Sequence, residues 1–435
     1  MKPEQTASNL CSLATADPNE FLRVVTEPNF LKETSWDNEL RSIDVAIILR
    51  DRDRPELATM ILEHLKEVFK NSHLIYHQAG VCYARRLDFQ RSAKEAEQAV
   101  RLDGSNVHNL SLAARAFALA GKFSDAKSVL AKPASVSLPA RKYLNQIAQF
   151  VNFCEQWDIQ SAYDKIDELS KSGRYINATD VSEQLLSAIR QKRPYSFLRL
   201  GDGEGSWLSL NAYDEGCYES IYEDNRRSFL LDWFGTDKLI KDESFFDFAL
   251  SLQDSFLEHD IIGISPPVRL DQEKSFLSTR GITSSINIMR HLDLFEGTIR
   301  NDRYYCSSSA NLDLLSTKFF RELSSATNEI SLITSQTALA PLFTMQNMVI
   351  RDLFHIPGDS RNFLRENPDS EPICQYPNYL NRINQKLSFE DQSGKVFLVG
   401  GGFVGKKYIS TIKKRGGIAI DIGSVADHLV RRGFV

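Results

Sequence analysis

Residues 395–423 read KVFLVGGGFVGKKYISTIKKRGGIAIDIG. Val396–Val399 is a short apolar run rich in β-branched and aromatic residues, which predicts a buried strand. Gly400-Gly401-Gly402-Phe403-Val404-Gly405 follows and fits the spacing GxGxxG. A helix is predicted over Lys406–Lys414, ended by Gly416-Gly417, and Ile418–Ile420 is a second strand with Asp421-Ile422-Gly423 at its tip. This is a βαβ unit whose glycine turn can present backbone amides to a phosphate at a helix start. Gly400, Gly402 and Gly405 are therefore candidate cofactor-binding residues. Asp421, 21 residues after Gly400, is a candidate acceptor for ribose hydroxyls, and Lys406 and Lys407 would favour anions. The structural alternative is a tight turn packed under the sheet. Too few residues follow Asp421 for a second half-fold, so a mononucleotide-sized pocket fits better than a dinucleotide crevice.

Outward from this unit, short apolar runs recur at Tyr195–Leu200, Ile261–Ile264, Ile330–Ile333 and Leu353–Ile356. Helical patterns lie between them, as at Ala338–Val349. Such alternation predicts an α/β, Rossmann-like fold with a mostly parallel sheet, whose ligands bind at the carboxyl ends of the strands. Asp180-Val181-Ser182-Glu183 is a capping box, and Val181, Leu185, Leu186 and Ile189 line the face of the helix it opens, which Pro194 ends.

The strand Tyr195–Leu200 runs directly into Gly201-Asp202-Gly203-Glu204-Gly205. In extended backbone, positions two apart project to the same side, so Asp202 and Glu204 form a candidate carboxylate pair. Hard oxygen ligands on a turn suit Mg²⁺ or Mn²⁺. Gly201 and Gly203 would let the chain approach a ligand closely, and Arg199 could grip a phosphate or pair with a carboxylate. The alternative is an Asp-Gly turn that merely links strand to helix. Thr334-Ser335-Gln336-Thr337 reads as a helix cap, Ser307-Ser308-Ser309 as a polar loop and His355 as hydrogen-bonded structure.

Residues 1–150 read as helices, with a start at Asp17-Pro18-Asn19-Glu20. A period of 34 residues runs through them. Tyr76, Ala79, Gly80, Tyr83, Phe89, Ser92, Ala96 and Ala99 recur as Leu110, Ala113, Ala114, Phe117, Phe123, Ala126, Leu130 and Pro133, with a degenerate copy at Ala46, Leu49, Ala58, Leu62 and Leu65. Small residues at Gly80 and Ser92 would let antiparallel helices approach, with Tyr83 and Phe89 filling the groove between them. The pattern resembles the tetratricopeptide repeat. The alternative is a helical bundle whose period is fortuitous. Stacked helix pairs suit a protein partner, a glycan or protein acceptor, or self-association. The expected domains are 1–160, all-α and repeat-like, and 161–435, α/β.

The chain of 435 residues carries 52 Lys+Arg against 57 Asp+Glu, a net charge of −5, which offers no electrostatic case for nucleic acid. No apolar run is long enough for a transmembrane segment, and MKPEQTASNL lacks the core of a secretory signal, so a cytoplasmic location is expected. Six scattered cysteines without a CxxC pair point to reduced thiols rather than disulfides or zinc. His73 and His77 have chelating spacing on a helix but lack the glutamate of HExxH.

The stretch SFLRLGDGEG after its capped helix, and the closing VFLVGGGFVGKKYISTIKKRGGIAIDIGSVAD, resemble the two ends of the GT-D-type glycosyltransferases, over about residues 175–435. The resemblance implies glycosyl transfer from a nucleotide-diphosphate sugar to a glycan or protein acceptor. It puts the family's DxE motif on Asp202 and Glu204, acting on a divalent metal and the donor diphosphate, and the D-I-G tip on Asp421–Gly423. Asp421 and His428 are candidates for a general base. The rival readings are an NAD- or S-adenosylmethionine-dependent enzyme using GGGFVG, and a non-catalytic repeat scaffold with a nucleotide pocket.

Overall fold

The computed structural model describes residues 3–17, 20–21, 23–24, 39–131, 137–208, 212–256, 258–295, 303–360, 364 and 373–432. The chain divides into two compact units, Met1–Asp158 with Val268–Ile282, and Ile159–Pro267 with Thr283–Val435. Nothing in the pattern of 268–282 announces that it groups with the first unit.

In the first unit, helices Glu39–Asp51, Pro55–Val68, His73–Arg85, Phe89–Leu102, Val107–Leu119 and Phe123–Ala131 each pack on the next. Their starts repeat every 34 residues, and so do the devices that set them. Backbone in the left-handed region turns the chain at Asp53 (φ 61°), Leu87 (φ 61°) and Gly121 (φ 73°). Ser72 and, one period later, Asn106 accept from first-turn amides, Ser72 from Ile75 N at 3.3 Å and Asn106 from His108 N at 3.0 Å. A methyl group at Gly80 would lie 3.2 Å from the Ser92 carbonyl oxygen, so a small residue there does permit close helix approach. At the predicted start near residue 17, Asp17 Oδ1 accepts from Glu20 N at 3.0 Å; Pro18 and Asn19 lie outside the described residues.

The second unit holds a seven-stranded, all-parallel sheet: β1 (Tyr195–Arg199), β2 (Ile261–Ile264), β3 (Tyr304–Ser307), β4 (Glu329–Thr334), β5 (Val349–His355), β6 (Val396–Gly400) and β7 (Ile418–Asp421), in the order β3-β2-β1-β7-β6-β4-β5. β2 and β7 are buried along their whole length, and β1, β4 and β6 at all but one residue each, as an apolar run in a parallel sheet requires. From β4 the chain moves outward to β5, whereas from β6 it returns to β7. The connections therefore diverge between β4 and β6, and the carboxyl end of β6 opens onto such a divergence.

Four expectations need correction. The helix before β1 is capped by Asn177, not Asp180; Asp180 is the residue that reaches back to the Asn177 amide. β3 is an additional strand, of sequence YYCS, too short and polar to signal itself. The helix expected over Ala338–Val349 is confined to Leu339–Thr344, because Val349 begins β5. The last βαβ helix starts at Gly402 rather than Lys406, so Gly402 and Gly405 lie inside it. Among the described residues no helix is long and apolar enough to cross a membrane, and the six cysteines are all free.

Gly205 marks where the turn after β1 meets the helix Thr279–Phe295: an added methyl carbon would lie 2.4 Å from the Ser284 carbonyl oxygen. Backbone cannot yield as a side chain can, so Gly205→Ala is expected to cost about 3 kcal/mol in urea unfolding. Gly216→Ala, where the added carbon meets nothing within 4 Å, should stay within about 0.5 kcal/mol of the parent. Equal stability of the two variants would contradict this packing.

Candidate functional site

Every residue singled out in the two glycine-rich stretches lies at or just beyond the carboxyl ends of β1, β6 and β7. β1 and β7 pair in parallel, which puts Arg199 at the tip of one beside Asp421 at the tip of the other. Asp421 Oδ2 accepts from Arg199 N at 3.3 Å and from Lys406 Nζ at 2.5 Å, while Oδ1 accepts from Arg199 Nη2 at 3.2 Å. Arg199 Nη1 also donates to Asn311 Oδ1 at 3.0 Å and to the Ser308 carbonyl at 3.2 Å. Asn311 is held in turn by its bond to the Ile422 carbonyl. The guanidinium is threaded between two glycines. A methyl carbon at Gly263 would lie 3.1 Å from Arg199 Cγ, and one at Gly423 would lie 1.9 Å from Nη2.

Lys406 projects from the helix Gly402–Lys414 and reaches a second carboxylate, Glu204, at 3.6 Å. Two acids and two bases thus face one another, with Glu204, Lys406 and Asp421 all buried and Arg199 half-buried. The set is formally neutral. Burial alone would raise the Asp421 pKa; Arg199 and Lys406 more than offset it and hold the carboxyl below its ordinary value.

The geometry separates the candidate roles. Residues 202–205 form a helical turn, not extended chain, so the argument that positions 202 and 204 share a side does not apply. Glu204 Oε2 accepts from Gly201 N at 2.8 Å, the reach-back that closes a helix start, and Gly205 N donates to Gly201 O at 3.0 Å. Its other oxygen faces the Lys406 ammonium. A divalent ion at Glu204 would have to displace or repel that ammonium, and among the described residues no three metal-ligating side chains converge. Of the pair expected to hold Mg²⁺ or Mn²⁺, only Glu204 has its side chain among the described residues, and Lys406 faces its second oxygen. The side chain of Asp202 lies outside them.

The glycines answer mainly to packing. An added carbon at Gly203 would lie 2.6 Å from the Phe229 ring, and one at Gly402 (φ 55°) 2.4 Å from the Trp233 ring. The space over Gly402 is thus filled by an indole, where the sequence suggested a ligand. At Gly201 and Gly400 the nearest atoms are at ordinary contact distance, 3.4 and 3.5 Å. Gly405 is crowded by Gly401, whose added carbon would lie 2.8 Å from Gly405 Cα. Asp421 is 3% exposed and both its oxygens are engaged, so it is a pillar of the site and is not turned to a ribose.

The helix Gly402–Lys414 starts without a side-chain cap; Gly402 is half-buried, Phe403 and Val404 are buried, and the Trp233 ring leaning on Gly402 is 37% exposed. Thr334, at the end of β4 across the divergence, accepts from Gln336 N at 3.0 Å, a turn bond in place of the expected helix cap, since the helix Leu339–Thr344 has Ala338 at its start and no side-chain cap. Gln336 in turn donates to Asp427 at 2.6 Å. Trp233 and Asn311 carry no local motif; only the long-range packing identifies them.

The depressed pKa of Asp421 makes a signed prediction. A group with a lowered folded pKa contributes stability that is present above its unfolded pKa and is lost as pH falls through the folded one. Unfolding free energy should therefore decline as pH drops below about 5 and continue to decline below about 4. Asp421→Asn should be less stable at pH 7 by about 3–5 kcal/mol and show a shallower acid limb, read from urea titrations at stepped pH. An acid limb identical to that of the parent would contradict the assignment. Compared with protein-family models and with curated proteins, the chain finds no match.

Proposed function

We propose that the α/β unit is a glycosyltransferase that takes a sugar from a nucleotide-diphosphate donor, and that the helical unit is a tetratricopeptide-like array that recruits an acceptor or partner. The observation that carries this reading is the uncapped helix start at Gly402, set at the carboxyl end of β6 where the strand connections diverge. That is where a parallel sheet of this kind receives a nucleotide, and first-turn amides suit a diphosphate. The resemblance of SFLRLGDGEG and of the closing βαβ unit to the GT-D-type enzymes supplies the chemistry.

In this reading, cleavage of the sugar–phosphate bond leaves growing negative charge on the diphosphate. The amides of Gly402, Phe403 and Val404 would take up that charge, with the helix dipole behind them. Trp233 would offer its open face to the nucleobase. The Arg199–Asp421–Lys406–Glu204 set would hold the two turns in place without changing its own net charge. Asp421, held ionised below its ordinary pKa, is a poor proton acceptor, so it would not serve as the general base.

The test is calorimetry of the full chain with a panel of nucleotide-diphosphate sugars, with and without Mn²⁺, followed by donor hydrolysis. One nucleoside diphosphate class should bind saturably, and Trp233→Ala should weaken it about tenfold or more while leaving the fold intact, because the ring is partly exposed. Binding of NAD or S-adenosylmethionine in its place, or no binding by any donor, would overturn the reading. Loss of binding without Mn²⁺ would return the metal to the site.

A further inference from the structure

The first unit has a half-open pocket of about 250 Å³ between its helices and the segment 275–277, and its lining is unusual in charge. Arg50, Arg85 and Arg115 face it, with His77, Phe276 and Leu277, and no Asp or Glu lines it. His77, pushed down to about 4 chiefly by burial, is neutral at pH 7. Three guanidinium charges therefore face a small space with no acid in its wall.

The arginines differ in how they are held. Arg50 is tied by Asp51 at 2.8 Å and by its bond to Gln78 Oε1 at 2.7 Å. Arg115 donates to the carbonyls of Ser111 and Leu277, at 3.3 and 2.8 Å. Arg85 has no hydrogen-bond acceptor among the described residues; its guanidinium lies flat on the Phe276 ring, 3.3 Å from the centroid. Burial, and then the neighbouring Arg50, work against its positive charge. Asp51, Asp53 and Asp271 face the adjoining, larger pocket of about 660 Å³, which shares Arg50, Arg85, Ser275 and Phe276 as walls.

We propose that this cavity binds a small molecule carrying a phosphate group, gripped by Arg50, Arg85 and Arg115 and closed by Phe276 and Leu277. Planar guanidinium forks match phosphate oxygens two at a time, and an orphan fork beside two others is the arrangement a dianion satisfies. The volume admits a phosphate with a sugar-sized remainder, whose apolar faces would meet Val81, Leu112 and Phe276. A peptide would need a long groove, and this pocket holds only about 250 Å³. The source is either inorganic phosphate or a phosphate ester. Because Leu277 is bound through its carbonyl to Arg115, an occupant would also steady the segment 268–277.

The probes are inorganic phosphate and glucose 6-phosphate, titrated calorimetrically into the full chain at low salt, with hydrogen exchange followed over 268–277. Saturable binding that slows exchange in 268–277 is expected, and Arg85→Gln should weaken it at least tenfold while costing no more stability than its stacking on Phe276 supplies, since Arg85 bonds to no acceptor among the described residues. Arg50→Gln should weaken it in the same sense. Tighter binding of the ester identifies an ester as the source; equal or tighter binding of free phosphate identifies the inorganic ion. The proposal is overturned if neither probe binds, if Arg85→Gln and Arg50→Gln both bind as the parent does, if binding is lost only in Trp233→Ala, or if an acidic peptide binds this surface while phosphate does not.

Discussion

The carboxylate of Asp421 is the point on which the second unit turns. It is buried at the tip of β7, gripped by the backbone and side chain of Arg199 on β1 and by Lys406 from the helix after β6. Through Arg199 the grip extends to Ser308 and Asn311 beyond β3, and through Lys406 it extends to Glu204 in the turn after β1. Desolvating four charges is expensive, and the arrangement persists because each finds an opposite partner and further hydrogen bonds. Removing one partner strands the others, which is why a single substitution should be felt at every strand tip in the group.

The same constraint explains glycines that look like ligand-binding glycines in the sequence. Arg199 reaches Asp421 past Gly263, where a β-carbon would press on its Cγ, and Gly423, where one would collide with its guanidinium. Gly203 and Gly205 answer to Phe229 and to the Ser284 backbone, and Gly402 to Trp233. Dense glycine at strand tips therefore reports close approach of protein to protein as readily as close approach to a ligand. The neutral charge balance of the set has a parallel meaning. It ties three strand tips together, with the uncapped helix start at Gly402 and the partly exposed Trp233 ring beside it.

Much of the fold was legible because burial in a parallel sheet leaves apolar runs that need no partner to be recognised: Ile261–Ile264 is a strand with the same ends as its apolar run. The period of 34 was visible because the helix pairs repeat one left-handed turn, at Asp53, Leu87 and Gly121, and because Gly80 and Ser92 keep one close contact small. β3 was hidden because YYCS is short and polar, and of β5 only the end at Leu353–His355 was legible, because its exposed edge position lets charged residues alternate with apolar ones from Val349 on. At the site, Arg199, Glu204 and Asp421 were found by position, but their roles were not. That Glu204 closes its own turn, and that Lys406 stands between it and Asp421, depends on contacts spanning up to 222 residues, which no local spacing encodes.

The central claim is that Asp421 and Lys406 stabilise the unit as a coupled pair. A double-mutant cycle with Lys406→Met, Asp421→Asn and the double variant, each unfolded in urea at pH 7, measures that coupling directly. The account predicts that the double variant loses less stability than the two single losses combined, by about 2 kcal/mol or more. Losses that add to within about 0.5 kcal/mol would show the two side chains to be independent and would contradict it.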